Sequence, residues 1–309
     1  MGNRIYYAVQ QIGIGAANGD SLVPVHGVQS AGINTSFITE PIPSLGDLPI
    51  YTVLENSYEI QINLKKVLDG YSLLYLLATS EVSDSRLQKK AMARCSFGLS
   101  IFDDSLTYAV GTPLAVLQST GLYLSSLKYN FPDKGNFEEE IGLIGNHRAW
   151  GVSFDGQFDG LDAPISAGGG INQRQDMYSK TLPTEIPSDA HVNNISFFTT
   201  INRENIPQLG DKTSFFKLPT FPIETTTEIT VTPTGGDNIV TPTGSCSGFI
   251  RNMPQTIAVS VCDGTSISMG TGNILVSVNY QGGDAGGGNV KTSYTYKGYN
   301  DFTVTHLAH

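Results

Sequence analysis

Charge is scarce in this sequence. Asp, Glu, Lys and Arg make up 15% of its 309 residues, where an average soluble domain carries about a quarter. The 18 Lys and Arg form no cluster beyond the pairs Lys65–Lys66 and Lys89–Lys90, and the formal net charge is −10. Gripping nucleic acid takes a basic stripe along the phosphates, so that class of function is excluded. Cysteine is also sparse: Cys95, Cys246 and Cys262 are too few and too scattered for a disulfide framework or a zinc site. A reducing compartment and three free thiols are the expectation. No run approaches the ~18 apolar residues of a membrane span. The opening MGNRIYYAVQQIGIGAANGD lacks the apolar core of a signal peptide, which predicts cytosolic synthesis and no membrane.

Catalytic and metal-binding patterns are missing too. The histidines His26, His147, His191, His306 and His309 have no partner at metal-ligand spacing. Asp155, Asp159 and Asp162 offer oxygen ligands of the kind calcium takes, but in a spacing that reads as a solvated acidic loop. Glu138, Glu139 and Glu140 are adjacent, so on a strand they alternate faces and make no general acid/base pair. The Gly-rich QGGDAGGGN at 281–289 has no Lys-Ser or Lys-Thr behind it and reads as a hairpin tip, not a phosphate loop. There is no GxSxG elbow, and the sequons at Asn34 and Asn194 mean little without secretion. The expectation is no enzyme, no cofactor, and neither catalytic nor metal site residues.

What the chain does have is turn-rich β structure. Gly 34 and Pro 15 stand beside 39% hydrophobic and 9% aromatic residues, enough apolar surface for packed cores. Ile33, Thr35, Phe37 and Thr39 alternate within 25–40 and predict a strand with one buried face. Ile50–Leu54 and Tyr58–Leu64 read as two short strands, the second with Tyr58, Ile60, Ile62 and Leu64 on a core face. Val67, Leu68, Tyr71, Leu74, Tyr75 and Ala78 fall at helical spacing and predict one helix over Lys66–Thr79. A charged exposed loop over 81–94, strands at Cys95–Phe102 and Tyr108–Gln118, and a hairpin of Leu122–Phe131 with Phe137–Ile144 around PDKGN follow. Residues 153–188 show no sustained periodicity and read as a linker or long surface loop. The chain ends on strands at Asn273–Tyr280, Val290–Tyr296 and Asp301–His306.

The second half reads as a diverged copy of the first. IPSLGD at Ile42–Asp47 recurs as IPQLGD at Ile206–Asp211, an offset of 164. SYEIQINL at Ser57–Leu64 is answered by TTEITVTP at Thr226–Pro233, FGLSIFDD at Phe97–Asp104 by IAVSVCDG at Ile257–Gly264, and YLSSLKYN at Tyr123–Asn130 by ILVSVNYQ at Ile274–Gln281. The four matches keep their order, the mark of a duplicated unit. The helix has no counterpart, since TGGDNIVTPTGSCSG stands in its place. One large β domain with similar strands is the alternative.

HGVQSAGINTSF, then SLGDLPIYTVLEN, a strand and KKVLDGYSLLYLLAT resemble the opening of tail tube proteins from tailed bacteriophages. LSSLKYNFPDKGNFEEEIGLIGNHRAW is similar to the hairpin that extends that family's sheet into the tube wall. The resemblance covers most of 25–150 and, more faintly, 192–305. It implies a mainly β chain with two tandem antiparallel β-sandwich or barrel domains of tail-tube type, one helix in the first. The units would be residues 1–152 with an N-terminal arm, a linker at 153–191, and residues 192–309. It further implies a virion tail protein made in the bacterial host cytoplasm that self-assembles into stacked rings through which DNA passes as cargo. A trimeric pseudo-hexamer is favoured over a hexamer, because a variant of the family carries two tube domains in one chain. Tape measure, tail terminator, baseplate and sheath proteins are the implied neighbours. A baseplate hub ring, a capsid decoration protein and a soluble glycan-binding β module remain the alternatives.

Overall fold

The fold comes from a computed structural model that describes residues 5, 7–17, 22–46, 48, 50–106, 109, 111–151, 170–210, 216–239, 254–282, 289–299 and 301–307. Strands β1 (Gln10–Ala16) and β2 (Val23–Pro24) lead into a long hairpin of β3 (Val28–Pro43) and β4 (Ile50–Val67). Two short helices follow, α1 (Leu74–Ala78) and α2 (Leu87–Lys90), then β5 (Arg94–Ile101), β6 (Ala115–Pro132), β7 (Glu138–Gly145) and β8 (Ala149–Gly151). After these come β9 (Met177–Thr181), β10 (His191–Thr200), β11 (Arg203–Ile206), β12 (Phe216–Pro219) and β13 (Glu224–Thr232). The chain continues through β14 (Ala258–Val261), β15 (Ser266–Ser268), β16 (Ile274–Gln281), β17 (Lys291–Tyr299) and β18 (Thr303–Thr305). The architecture is mainly β, and its pairings are antiparallel.

One 12-stranded sheet carries strands of both halves. Along it the order β3-β4-β7-β6 is followed by β10-β13-β17-β16, joined through the pairing of β6 with β10. A second, four-stranded sheet, β18-β15-β14-β9, includes a strand from the segment whose sequence reads as linker. Strict alternation puts Ile60, Ile62 and Leu64 of β4 fully inside, as the period of two requires. They share one core with Leu127, Tyr129, Ile195, Phe197, Ile229, Val231, Tyr294 and Tyr296 of the large sheet and with Val259, Ile267 and Val304 of the small one. Phe302, beside β18, closes this core against the first half, its ring 6.0 Å from that of Tyr75 and 6.4 Å from that of Tyr129.

Several expectations are corrected. The helix spans only Leu74–Ala78, because Lys66 and Val67 belong to β4 and pair with β7. Leu68, Leu73, Leu74 and Ala78 are buried all the same, so a turn and one helical turn satisfy the spacing that suggested a longer helix. Its first amides, Leu74 N and Tyr75 N, donate to the Glu139 carboxylate on β7, a cap supplied from 64 residues away that no local motif announces. The charged segment after it is not simply an exposed loop, since it holds α2 and the buried Lys90, whose Nζ donates to the carbonyls of Thr79 and Val82. Ile50–Leu54 and Tyr58–Leu64 are parts of the single strand β4, and the strand expected to begin at Tyr108 begins at Ala115 and runs on as β6 to Pro132. Phe37 and Thr39, expected on a buried face, are exposed. The Gly-rich 283–288, Asp155, Asp159, Asp162, Cys246 and most of the stretch standing in place of a second helix lie outside the described residues.

Candidate assembly interface

The two halves meet edge to edge. Residues 126–132 of β6 pair with 194–200 of β10, in the register Tyr129↔Phe197 and Leu127↔Thr199, and the Ile201 amide extends the ladder to the Ser125 carbonyl at 2.8 Å. Beyond the ladder, the hairpin β11–β12 lies over the first half and is pinned by Arg203. Its Nη2 donates at 2.6 Å to each of the carbonyls of Ala91 and Leu124, its Nη1 donates to the Lys217 carbonyl at 2.9 Å, and the guanidinium sits 4.8 Å from the Tyr123 ring centre. A fork of donors on a planar cation suits three carbonyls and a ring face at once. Burial pulls the Arg203 pKa down to about 10, which leaves it charged at neutral pH. Lys217 Nζ donates to the Glu59 carboxylate at 3.0 Å and to Asn205 Oδ1 at 2.9 Å, tying β12 to β4 across the junction.

The halves are equivalent strand by strand: β3 with β10, β4 with β13, β6 with β16 and β7 with β17. The bulge at Gln29, between the pairs Val28↔Lys66 and Ser30↔Lys65, matches the bulge at Asn193, between Val192↔Val231 and Asn194↔Thr230. The bulge at Ser125 of β6 against β7 matches that at Val276 of β16 against β17. Bulges kink a strand at one residue, and two of them fall at the same places in both halves. Glycine recurs where a side chain crosses closely: a Cβ on Gly145 would meet Leu122 Cδ2 at 2.6 Å, and one on Gly298 would meet Asn273 Oδ1 at 2.7 Å. Leu122 and Asn273 are themselves equivalent positions.

These registers test the sequence alignment. ILVSVNYQ does answer YLSSLKYN, and the IPSLGD and IPQLGD turns end equivalent hairpins, with Gly46 at φ +94° and Gly210 at φ +97°. SYEIQINL is matched instead by PIETTTEI at Pro222–Ile229, because Leu64 and Ile229 occupy the same place. FGLSIFDD and IAVSVCDG fall in different sheets, β5 in the large one and β14 in the small one. Sheet pattern alone made those two matches, and tertiary pairing separates them.

Because every pairing from β3 to β16 along the eight-strand order is antiparallel, β3 and β10 run the same way. Both IPxLGD turns therefore lie at one rim of the sheet, each presenting a fully exposed leucine, Leu45 and Leu209. The eight-strand order ends on β3 at one side and β16 at the other, while β6 also leads through β5 and β1 to β2.

The three glutamates considered as an acid/base pair separate as expected on a strand. Glu138 pairs with Lys65 at 2.9 Å, Glu140 faces out, and Glu139 is buried. Burial raises the Glu139 pKa against three donors, Leu74 N, Tyr75 N and the Tyr129 hydroxyl, that favour its charged form. Its place under α1 is structural. Among the described residues no group of three or more His, Cys, Asp or Glu gathers as a metal would require. Cys95 and Cys262 are free thiols. Sequence reasoning missed Arg203, Lys217 and Glu59.

No protein-family model matches the sequence, and no curated protein matches it. Among solved structures, the chain is similar to one from the cryo-EM structure of the anti-feeding prophage baseplate, 6-fold symmetrised, at 9% identity and a TM-score of 0.35 over 50% of this chain and 100% of that one. It is similar to another from the cryo-EM structure of the anti-feeding prophage cap, which terminates the tube, at 14% identity and a TM-score of 0.33 over 50% of this chain and 94% of that one.

Proposed function

We propose that the chain is a structural subunit of a phage tail-type particle, three copies of which close a ring that stacks into a hollow tube for DNA. The observation that carries this reading is the in-line junction of β6 with β10. A four-strand unit that joins its own copy edge to edge, and whose end strands β3 and β16 have a free outer edge among the described residues, can add further copies in the same way. Such a head-to-tail contact builds a ring when its rotation closes. Eight strands per chain make a ring of about 24, beyond the 16–18 at which barrels already leave an open channel.

The face of the large sheet turned away from the core supports a channel wall. It presents Gln61, Asn63, Ser126, Lys128, Phe198, Glu228, Ser293 and Thr295, so polar groups predominate around one exposed ring. Its charges are neutralised locally: Lys128 stands opposite Glu140, and Lys297 pairs with Glu224 at 2.6 Å. A wall without net positive patches lets a polyanion slide without holding it.

Electron microscopy of the purified protein tests the reading. Hollow tubes of three-chain rings are expected. Single rings that never stack favour a baseplate hub, compact monomers at high concentration favour an isolated binding module, and six chains per ring overturn the three-chain closure.

A further inference from the structure

Building on that reading, we infer that the free edge β16 of one copy pairs with the free edge β3 of the next, in the register Ile33↔Tyr280, Asn34↔Asn279, Thr35↔Val278 and Ser36↔Ser277. The register is the internal junction transposed. Equivalent bulges fix β10 on β3 at an offset of 164 residues and β16 on β6 at an offset of 151. The observed pairs Phe197↔Tyr129, Phe198↔Lys128, Thr199↔Leu127 and Thr200↔Ser126 then become the four named.

Exposure differs between equivalent residues as this contact requires. Ile201 is 3% exposed against the first half, while its counterpart Phe37 is 61% exposed. Lys217 is 3% exposed and its counterpart Val53 57%. On the receiving side Tyr129 is 0% exposed and its counterpart Tyr280 67%. The second half's hairpin lies on the first half, whereas the outer part of the first half's hairpin is exposed. Phe37 and Val53 are thus left as an apolar surface matched to the second half of a neighbouring copy.

The chemistry of the two edges agrees. Monomeric sheets guard their edges with Lys, Pro or inward charges, because bare edges pair uncontrollably. Residues 28–36 of β3 and all of β16 contain no charged residue and no proline. No like charges oppose each other in the transposed register, and Ile33 meets Tyr280 as a β-branched–aromatic pair. The two edges differ from each other, so the contact is heterologous and propagates in one direction.

Disulfide trapping in the full chain tests the register. Thr35→Cys/Val278→Cys and Asn34→Cys/Asn279→Cys, oxidised after assembly, should give denaturant-resistant dimers and trimers, with the new bridge mapped by peptide mass spectrometry. The off-register pair Thr35→Cys/Gln281→Cys should give roughly tenfold less, since Cα atoms more than ~7 Å apart are not bridged. Val278 packs against the margin of the core and Thr35 is half-buried, while Asn34, Asn279 and Gln281 are exposed, and the single variants report both folding and bridging to the native thiols. Rings by microscopy together with equal or preferred off-register bridging, or with Thr35–Thr35 bridging in the single variant, overturn the register and leave the ring reading standing. Monomers that neither assemble nor cross-link overturn both.

Discussion

Ile60 lies mid-strand on β4 with none of its side chain exposed. A carboxylate there has no partner, and an unpaired buried charge costs several kcal/mol. Ile60→Asp is expected to abolish soluble folded protein, read by expression, far-UV and near-UV circular dichroism. Natively folded Ile60→Asp protein would refute the inward face of β4. Glu139 makes a pH prediction. Its pKa is raised, chiefly by burial, so the native state holds a proton that the unfolded chain has released. The associated stability is present below the ordinary carboxylate range and is lost as pH rises through the native value. Glu139→Gln should therefore flatten the fall in stability between about pH 4.5 and the native pKa. Equal pH slopes in denaturant titrations of the two proteins would contradict this. For the cysteines, burial pushes the Cys95 thiol up to about 12, whereas Cys262 is exposed. Native protein should label rapidly at Cys262 and only on unfolding at Cys95, and three free thiols should titrate in denaturant without reductant.

Among the elements, the hairpin β11–β12 is attached to the first half through Arg203 and Lys217. Arg203→Ala removes donors to the carbonyls of Ala91, Leu124 and Lys217 and leaves partly buried acceptors unmatched. A loss of about 2–4 kcal/mol is expected, from the ~1.5–3 kcal/mol typical of a hydrogen bond to a charged group. Urea unfolding with an unchanged slope measures it. Arg203→Lys should recover only part, since an ammonium cannot reproduce the fork. The hairpin β3–β4 contrasts with it. Its outer part extends past Ile60, where pairing of β4 with β7 stops, and presents Phe37, Ile38, Val53 and Leu54 to solvent in the single chain.

Over the whole molecule, the two IPxLGD turns share five of their six residues, Ser44 and Gln208 being the difference, while the strands between them share few. Both lie at one rim of the sheet, with Leu45 and Leu209 outermost. In a closed ring of three chains they would recur six times around that rim, facing whatever ring comes next. Leu45→Asp/Leu209→Asp should leave circular dichroism and ring formation intact and shorten or abolish tubes. Tubes of unchanged length would remove the turns from stacking.

Fold class, the inward faces of β4 and β6, the equivalence of β6 with β16 and the paired hairpin turns were legible in the sequence. Each depends on local periodicity or on residues that a tight turn demands, and both survive divergence within a short window. Tertiary structure decided what no window contains. Glu139 caps α1 and Arg203 pins a hairpin because distant strands bring them to unpaired amides and carbonyls. Of the expected buried face of β3, Ile33 and Thr35 are half-buried and Phe37 and Thr39 exposed, because an alternating strand is buried only where something covers it, and among the described residues Phe37 is left uncovered. Alternation placed Leu64 on a face but could not fix its register, so the sequence match ran four residues past Ile229. Hydrogen-bond pairing and a shared bulge set that register, because a strand's partner, unlike its pattern, is a property of the assembled sheet.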